Sequence, residues 1–276
     1  MQYLNLWFGT WGTYVQARPG QLYGNIYGRT AAREFKKVDA NNLASYSGRK
    51  IVNPASGAVV RTPESVILGN IVPDWMGSIR NTLNYQNLNF SFLIDTRQGS
   101  DVYSITNMFG IYSGMLEETV GNNDKGNPKR DAVADGGGVR VPGVYGRIGS
   151  DGMPQYLDAD GNVTDTPVEN TVYEECQSSS ILGEGIYGKP GLMTFDASYI
   201  KLREVILGYT FDQPFIRNLG IHSINLSFVG RNLAILHKNV PHIDPELGFS
   251  AGRIQGMEST QLPSLRSLGF NLRITL

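Results

Sequence analysis

The closing stretch, Pro263 to Leu276, limits most tightly what this chain can fold into. It reads P-S-L-R-S-L-G-F-N-L-R-I-T-L, so Leu268, Phe270, Leu272, Ile274 and Leu276 share one parity. Ser267, Gly269, Asn271, Arg273 and Thr275 share the other. A period of two belongs to a β-strand, whose successive side chains point to opposite faces. A transmembrane barrel strand has this pattern, apolar toward lipid and polar toward the lumen, over about 9–11 residues. An amphipathic edge strand of a soluble sandwich has it too. Alternation alone leaves both open.

Composition leans toward a β protein rich in turns and aromatics. Charged residues make up 18% of the 276, against about 25% in ordinary soluble domains. Glycine (33), tyrosine (14) and phenylalanine (11) are abundant. The net charge of -1 gives no electrostatic footprint for nucleic acid or anionic lipid. The single cysteine, Cys176, has no partner for an internal disulfide and no zinc-ligand spacing around it. No run of 18 apolar residues exists, so no transmembrane helix is expected; membrane strands carry a weaker signal. Met1-Gln-Tyr-Leu-Asn-Leu lacks the basic start and apolar core of a secretory signal. A membrane barrel is therefore expected only if the chain is the tail of a longer one.

Taken in order, Met1 to Ala17 reads as a strand, Pro19-Gly20 as a turn, and Leu22 to Gly28 as a short aromatic strand. Arg29 to Gly69 reads as a long structured loop. Trp75–Tyr85 and Leu88–Ile94 alternate around Gln86-Asn87 and predict a hairpin with one apolar and one polar face. Its arms, about nine or ten residues each, exceed the usual strand of five or six. Val102, Ile105, Phe109, Tyr112 and Leu116 are spaced for one face of a helix. Gly121 to Leu192 shows no sustained period. Tyr199 to Phe211 is a strand whose first half has the opposite parity to its second, which predicts a bulge near Glu204. Asp212 to Gly220 is a compact connection, Ser223 to Leu233 a strand, and His237 to Leu262 a second long loop.

Several ordered stretches carry a family resemblance. The last strand resembles the C-terminal strand of outer-membrane barrels, although it ends on Leu276 where those proteins usually end on Phe. Ala197-Ser-Tyr-Ile-Lys-Leu-Arg-Glu-Val-Ile-Leu-Gly-Tyr-Thr-Phe211 resembles the "SYLKLREVSLGYTL" stretch of SusC/RagA-type TonB-dependent outer-membrane transporters. Val229-Gly-Arg-Asn-Leu233 is similar to their "GRNL" strand, Ile243-Asp-Pro-Glu246 to their "DPE" loop, and Gln261-Leu-Pro-Ser-Leu-Arg266 to their "YPxxR" approach to the last strand. Leu68-Gly-Asn70, Pro73-Asp-Trp75 and Asn84-Tyr85 follow the same order. The motif positions are Leu202, Gly208, Tyr209, Asn232, Leu233, Asp244, Pro245, Pro263 and Arg266.

The resemblance implies an all-β fold, the C-terminal segment of a large antiparallel transmembrane β-barrel with long extracellular loops and one short loop helix. Residues 1–276 would then be the C-terminal strands of a TonB-dependent receptor barrel, without its plug domain or signal peptide. It implies import of oligosaccharides or peptides across the cell outer membrane. A SusD-like surface lipoprotein would cap the mouth, and TonB would act through the plug. Ser267, Gly269, Phe270, Leu272, Ile274 and Leu276 would be read by the barrel assembly machinery. About six antiparallel strands in an open sheet are expected. The rival from the residues alone is a secreted glycan-binding β-sandwich module with a dry core between two sheets.

No cofactor and no catalysis are expected. Asp158, Asp160, Asn162 and Glu169 fall at four ligand positions of a calcium loop, but Val163 stands where its sharp turn needs Gly and Pro167 interrupts the exit. An Asp-Gly turn in a solvated loop is the expected structure. His237 and His242, near Asp244, have no register that would converge them on a metal. Gly136-Gly-Gly138 lacks the Lys-Ser/Thr of a phosphate loop.

Overall fold

A computed structural model describes residues 4–7, 11–176, 190–218, 220–248 and 255–276. In chain order the strands are β1 (Leu4–Trp7), β2 (Tyr14–Ala17), β3 (Asn25–Gly28), β4 (Arg33–Lys36), β5 (Tyr46–Val52), β6 (Val66–Asn70), β7 (Trp75–Tyr85), β8 (Leu88–Gln98) and β9 (Asp101–Ser104). Helix α1 (Ile105–Tyr112) follows, then β10 (Gly143–Ile148), β11 (Pro154–Tyr156), β12 (Thr194–Asp196) and β13 (Tyr199–Phe211). A single helical turn, α2 (Pro214–Arg217), precedes β14 (Ser223–Lys238), β15 (Met257–Glu258) and β16 (Ser267–Thr275). The chain divides into two compact units.

The first unit comprises Met1–Val72, Asp101–Phe195 and Gly248–Gln261. Its strands form three small sheets, ordered β1-β2-β3-β6, β11-β10-β5-β4 and β12-β9-β15. Each covers a local apolar cluster: Val15, Ile26, Val66 and Leu68 in one, Tyr103, Met108, Met193 and Met257 in another. Ser104 caps α1 by accepting the Asn107 amide at 3.1 Å. Its hydroxyl also donates to the fully buried Glu258 at 2.8 Å. The expected loops are therefore built of short strands, and their strand lengths of two to seven residues leave too little alternation to read from sequence. The helix spans Ile105–Tyr112; Val102, expected on its face, instead lies in β9. The Met1–Ala17 stretch turns at Trp11 and Gly12, both left-handed, so that β1 and β2 pair as a hairpin.

The second unit comprises Pro73–Ser100, Asp196–Leu247 and Leu262–Leu276 and holds one antiparallel sheet, ordered β16-β14-β13-β8-β7. It has five strands, one fewer than the sequence suggests. Register aligns like with like across it. Leu83, Phe90, Leu207, Phe228 and Phe270 form one row, and Tyr85, Leu88, Tyr209, Leu226 and Leu272 the next. Phe228 and Phe270 meet edge to face at 5.6 Å. On the opposite face Asn84, Asn89, Gly208, Ser227 and Asn271 form a row. Hydrogen bonds link side chains there, Asn89 to Asn84 at 2.6 Å and Asn225 to Thr210 at 2.9 Å.

The apolar rows are exposed rather than covered: Phe270 by 77%, Tyr85 by 72% and Leu83 by 57%. A contiguous exposed apolar face marks a surface that meets a partner or a membrane. The sheet is also asymmetric end to end. The two-residue turn Gln86-Asn87, the α2 connection and Leu276 lie at one end, while the strands at the other run into the long segments. Asn87 fastens its end by donating to Thr210 O at 2.6 Å and Asp212 Oδ1 at 2.8 Å. Gln86 sits at φ +52°, a region that Asn enters more readily than Gln. Gln86→Asn should therefore stabilise the hairpin by about 0.5–1 kcal/mol, seen as a raised urea midpoint in detergent.

Candidate functional site

The bulge predicted in β13 builds the site. Register slips between Leu202 and Glu204 against both neighbouring strands. Leu202 pairs Ile94 on the apolar face, while Glu204 pairs Leu93 and stands on the polar one. Opposite the bulge, Asn232 adopts φ +51°, which its short amide tolerates. Its Oδ1 accepts from Arg203 at 3.3 Å and its Nδ2 donates to Leu265 O at 3.1 Å. A Cβ on Gly230 would come within 2.8 Å of Leu233, so this glycine makes room for that side chain. Gly230, Asn232 and Leu233 of the "GRNL" stretch thus close β14 around the bulge.

The "DPE" segment supplies the second half. Asp244 Oδ1 accepts the Glu246 amide at 3.1 Å, an Asx turn around Pro245 that sets the two carboxylates side by side. Asp244 is nearly fully buried and pairs with Lys201, itself 3% exposed. Lys201 Nζ reaches Glu246 at 2.6 Å, and Tyr199 donates its hydroxyl to Glu246 at 2.7 Å. Arg203 grips Asp95 through two hydrogen bonds of 2.7 and 2.9 Å and pairs with Glu246 as well. Ser264, in the approach to β16, donates to Asp244. The Asp244–Glu246 turn, and through it the approach to β16 at Ser264, are locked onto the polar face of β8 and β13.

Burial raises the carboxyls of Asp244 and Glu246, but hydrogen bonds outweigh it. Lys201 and Ser264 hold Asp244 at about 2. Arg203, Lys201 and Tyr199 hold Glu246 at about 2. Because both values are depressed on folding, their contribution is complete above about pH 4.5 and is lost as pH falls toward 2. Pepsin should leave the segment from Pro241 to Leu247 intact near pH 4 and cut it progressively nearer pH 2. Equal cleavage at both would contradict this.

Beside the cluster lies an open groove of about 650 Å³, lined by Met76, Ser78, Leu93, Asp95, Tyr199, Arg203, Glu204, Arg231 and Asn232, among others. Glu204 accepts from Arg80 Nη1 and Arg231 Nε, each at 3.0 Å.

Of the remaining motif positions, Leu202 and Tyr209 lie on the apolar face of β13, Gly208 faces Ser227 on the polar one, and Pro263 and Arg266 are exposed. Ser267, Gly269, Phe270, Leu272 and Ile274 lie along β16, with Leu276 just beyond it. The calcium-loop residues do not converge. Asp158 accepts the amides of Asp160 and Asn162 at 3.0 and 2.8 Å, closing its own turn, and Glu169 pairs with Arg49. Among the described residues no three His, Cys, Asp or Glu side chains come together to hold a metal ion. Nor is any described helix long and apolar enough to cross a membrane, which says nothing about strands.

No family model matches the chain. It is 26% identical over 250 residues to the TonB-dependent receptor P26 of Formosa agariphila, an alignment covering 87% of this chain and 21% of the receptor. It is 19% identical over 275 residues to the TonB-dependent receptor P3 of the same organism, covering 93% and 22%. The chain thus spans about a fifth of the length of these curated relatives. Among solved structures it is similar to the RagAB peptide importer in its closed-closed state, with a TM-score of 0.51 and 14% identity over 99% of this chain and 25% of that one. The open-open state gives 0.50 and 12%, over 100% and 24%. In its ordered motifs, its sequence relatives and its fold, this chain resembles part of a SusC/RagA-type TonB-dependent outer-membrane transporter.

Proposed function

We propose that this chain supplies C-terminal strands to the barrel of a TonB-coupled importer in the cell outer membrane. The observation that carries the reading is the pair of five-residue apolar rows, exposed on one face of an antiparallel sheet whose other face is polar. Such a sheet suits lipid outside and water inside. The exposed rows also count against the secreted glycan-binding sandwich, which would bury them. Strands β7 and β16 are open edges, and unpaired backbone groups cost several kcal/mol each in hydrocarbon. Strands outside this chain complete the barrel.

In this reading the end with the short turns and Leu276 faces the periplasm. The long segments face the cell exterior, where oligosaccharide or peptide substrates and a SusD-like lipoprotein are met. TonB acts through a plug elsewhere in the transporter. The polar-apolar ladder from Ser267 to Leu276 serves as the signal for the assembly machinery. The test is topology in intact cells carrying the transporter. A protease site inserted at Gln86-Asn87 should be protected and one at Asp160-Gly161 cut. The reverse pattern overturns the orientation, and recovery of the protein in the soluble fraction overturns the barrel.

A further inference from the structure

We infer that Asn232 and Asp244 form a register clamp for β16, holding the chain that enters this strand so that it pairs with β14 at one height only. Such a clamp goes beyond the proposed function and stands on the sheet itself. In a barrel it sets the stagger at which the strand beyond β16 joins.

Alternation does not choose this register. The pairings of β14 with β16 run unbroken from Ser223–Thr275 to Arg231–Ser267. Sliding β16 by two residues leaves every side chain on its own face. Phe228 would then meet Leu268 or Leu272 in place of Phe270, and Ser227 would meet Gly269 or Arg273 in place of Asn271. Apolar still faces apolar; what the strand itself loses is the edge-to-face contact of Phe228 with Phe270. In hairpins the turn fixes register, as Gln86-Asn87 does for β7 and β8. Strand β16 follows β14 only after the long segment from Asn239 to Arg266. The end of that segment has little else to fix it. Leu262 and Leu265 are exposed, and among the described residues no backbone–backbone hydrogen bond is made from Leu262 to Arg266. Side chains hold it instead. Asp244 Oδ2 accepts from the hydroxyl of Ser264 and from its amide, the latter at 3.3 Å. Asn232 Nδ2 donates to Leu265 O at 3.1 Å, just before β16 begins at Ser267. Both anchors are themselves held, Asp244 by the buried Lys201 of β13 and Asn232, within β14, by Arg203. Two successive residues of the approach are thus tied to fixed points on β13 and β14. A slide of two residues carries them about 7 Å along the strand, beyond the reach of any of these bonds.

The test uses the transporter purified in detergent, in a background without other cysteines, with Ser227→Cys combined in turn with Asn271→Cys, Arg273→Cys or Gly269→Cys. Directly opposed residues have Cβ atoms about 5 Å apart and diagonal ones about 7–8 Å, so oxidation to a disulfide reports which residue faces position 227. With the clamp intact, the 227–271 pair should oxidise about ten-fold or more faster than either diagonal pair. Asn232→Gly/Ser264→Ala removes two of the three holds, keeps a residue that accepts the left-handed backbone, and leaves Lys201 and Asp244 in place. In that variant a diagonal pair should oxidise within about three-fold of the 227–271 pair. Restoring a hydroxyl with Ser264→Thr should recover part of the contrast. A change of partner is a readout that lost stability alone would not give. An unchanged preference for 227–271 in the folded double variant overturns the clamp, as does a diagonal pair that leads while the clamp is intact. Folding is checked by heat-modifiable mobility on a gel, and where the double variant does not fold, Ser264→Ala alone decides by the same comparison. Recovery of the protein in the soluble fraction overturns the barrel reading and leaves the register comparison standing.

Discussion

Lys201→Met should destabilise the folded protein by about 3–5 kcal/mol, the largest effect expected of any single polar substitution in this chain. The methionine fills the space of the lysine stem but leaves Asp244 buried without its cation. Glu246 keeps Arg203 and Tyr199, so the damage concentrates on the Asp244 turn and on Ser264, which hangs from it. Adding Asp244→Asn removes the stranded charge and should recover part of the loss, because a buried charge without a partner costs more than a missing pair. Urea unfolding in detergent reads both. A loss under about 1 kcal/mol for Lys201→Met would mean that the Asp244 turn is not held by this pair.

Phe228→Arg should cost about 2–4 kcal/mol in a bilayer, whereas Ser227→Arg, one residue away on the same strand, should cost about 1 kcal/mol or less. Phe228 lies inside an apolar row, between Leu207 and Phe270. Ser227 lies between Gly208 and Asn271 on the polar face, where an arginine joins others. Refolding into vesicles across a urea series measures the difference. Equal costs at the two positions would remove the distinction between faces on which the barrel reading depends.

The five long strands were legible because each carries enough residues for a period of two to stand out. Even the bulge could be read, since Ile200 and Leu202 disagree in parity with Val205 and Leu207. The polar cluster could not. Arg203 meets Asp95 across 108 positions and Lys201 meets Asp244 across 43, and no local pattern encodes such pairings. Motif resemblance marked Asp244 and Asn232 without giving a reason. The structure supplies it, in a turn that aims two carboxylates and in a left-handed residue that lets β14 pass the bulge. Asp95, Tyr199, Lys201 and Arg203 were missed as site residues; their common parity on the polar face, broken only by the bulge, was the available signal. Beyond β1–β3 and α1, the first unit was missed for another reason. Its strands are short, its pairs β10–β5 and β15–β9 are parallel, and its cores are small clusters, so neither alternation nor turn spacing announced it.

In a barrel, one face of the five-stranded sheet should meet lipid and the other water. Single tryptophans placed along β14 and β16, in a background without the native tryptophans, test it through quenching by brominated lipid. Tryptophan at Leu226, Phe228, Phe270 and Leu272 should be quenched strongly, and at Asn225, Ser227 and Asn271 weakly, giving a period of two along each strand. Quenching that is uniform, absent, or strong at Ser227 and Asn271 would contradict it.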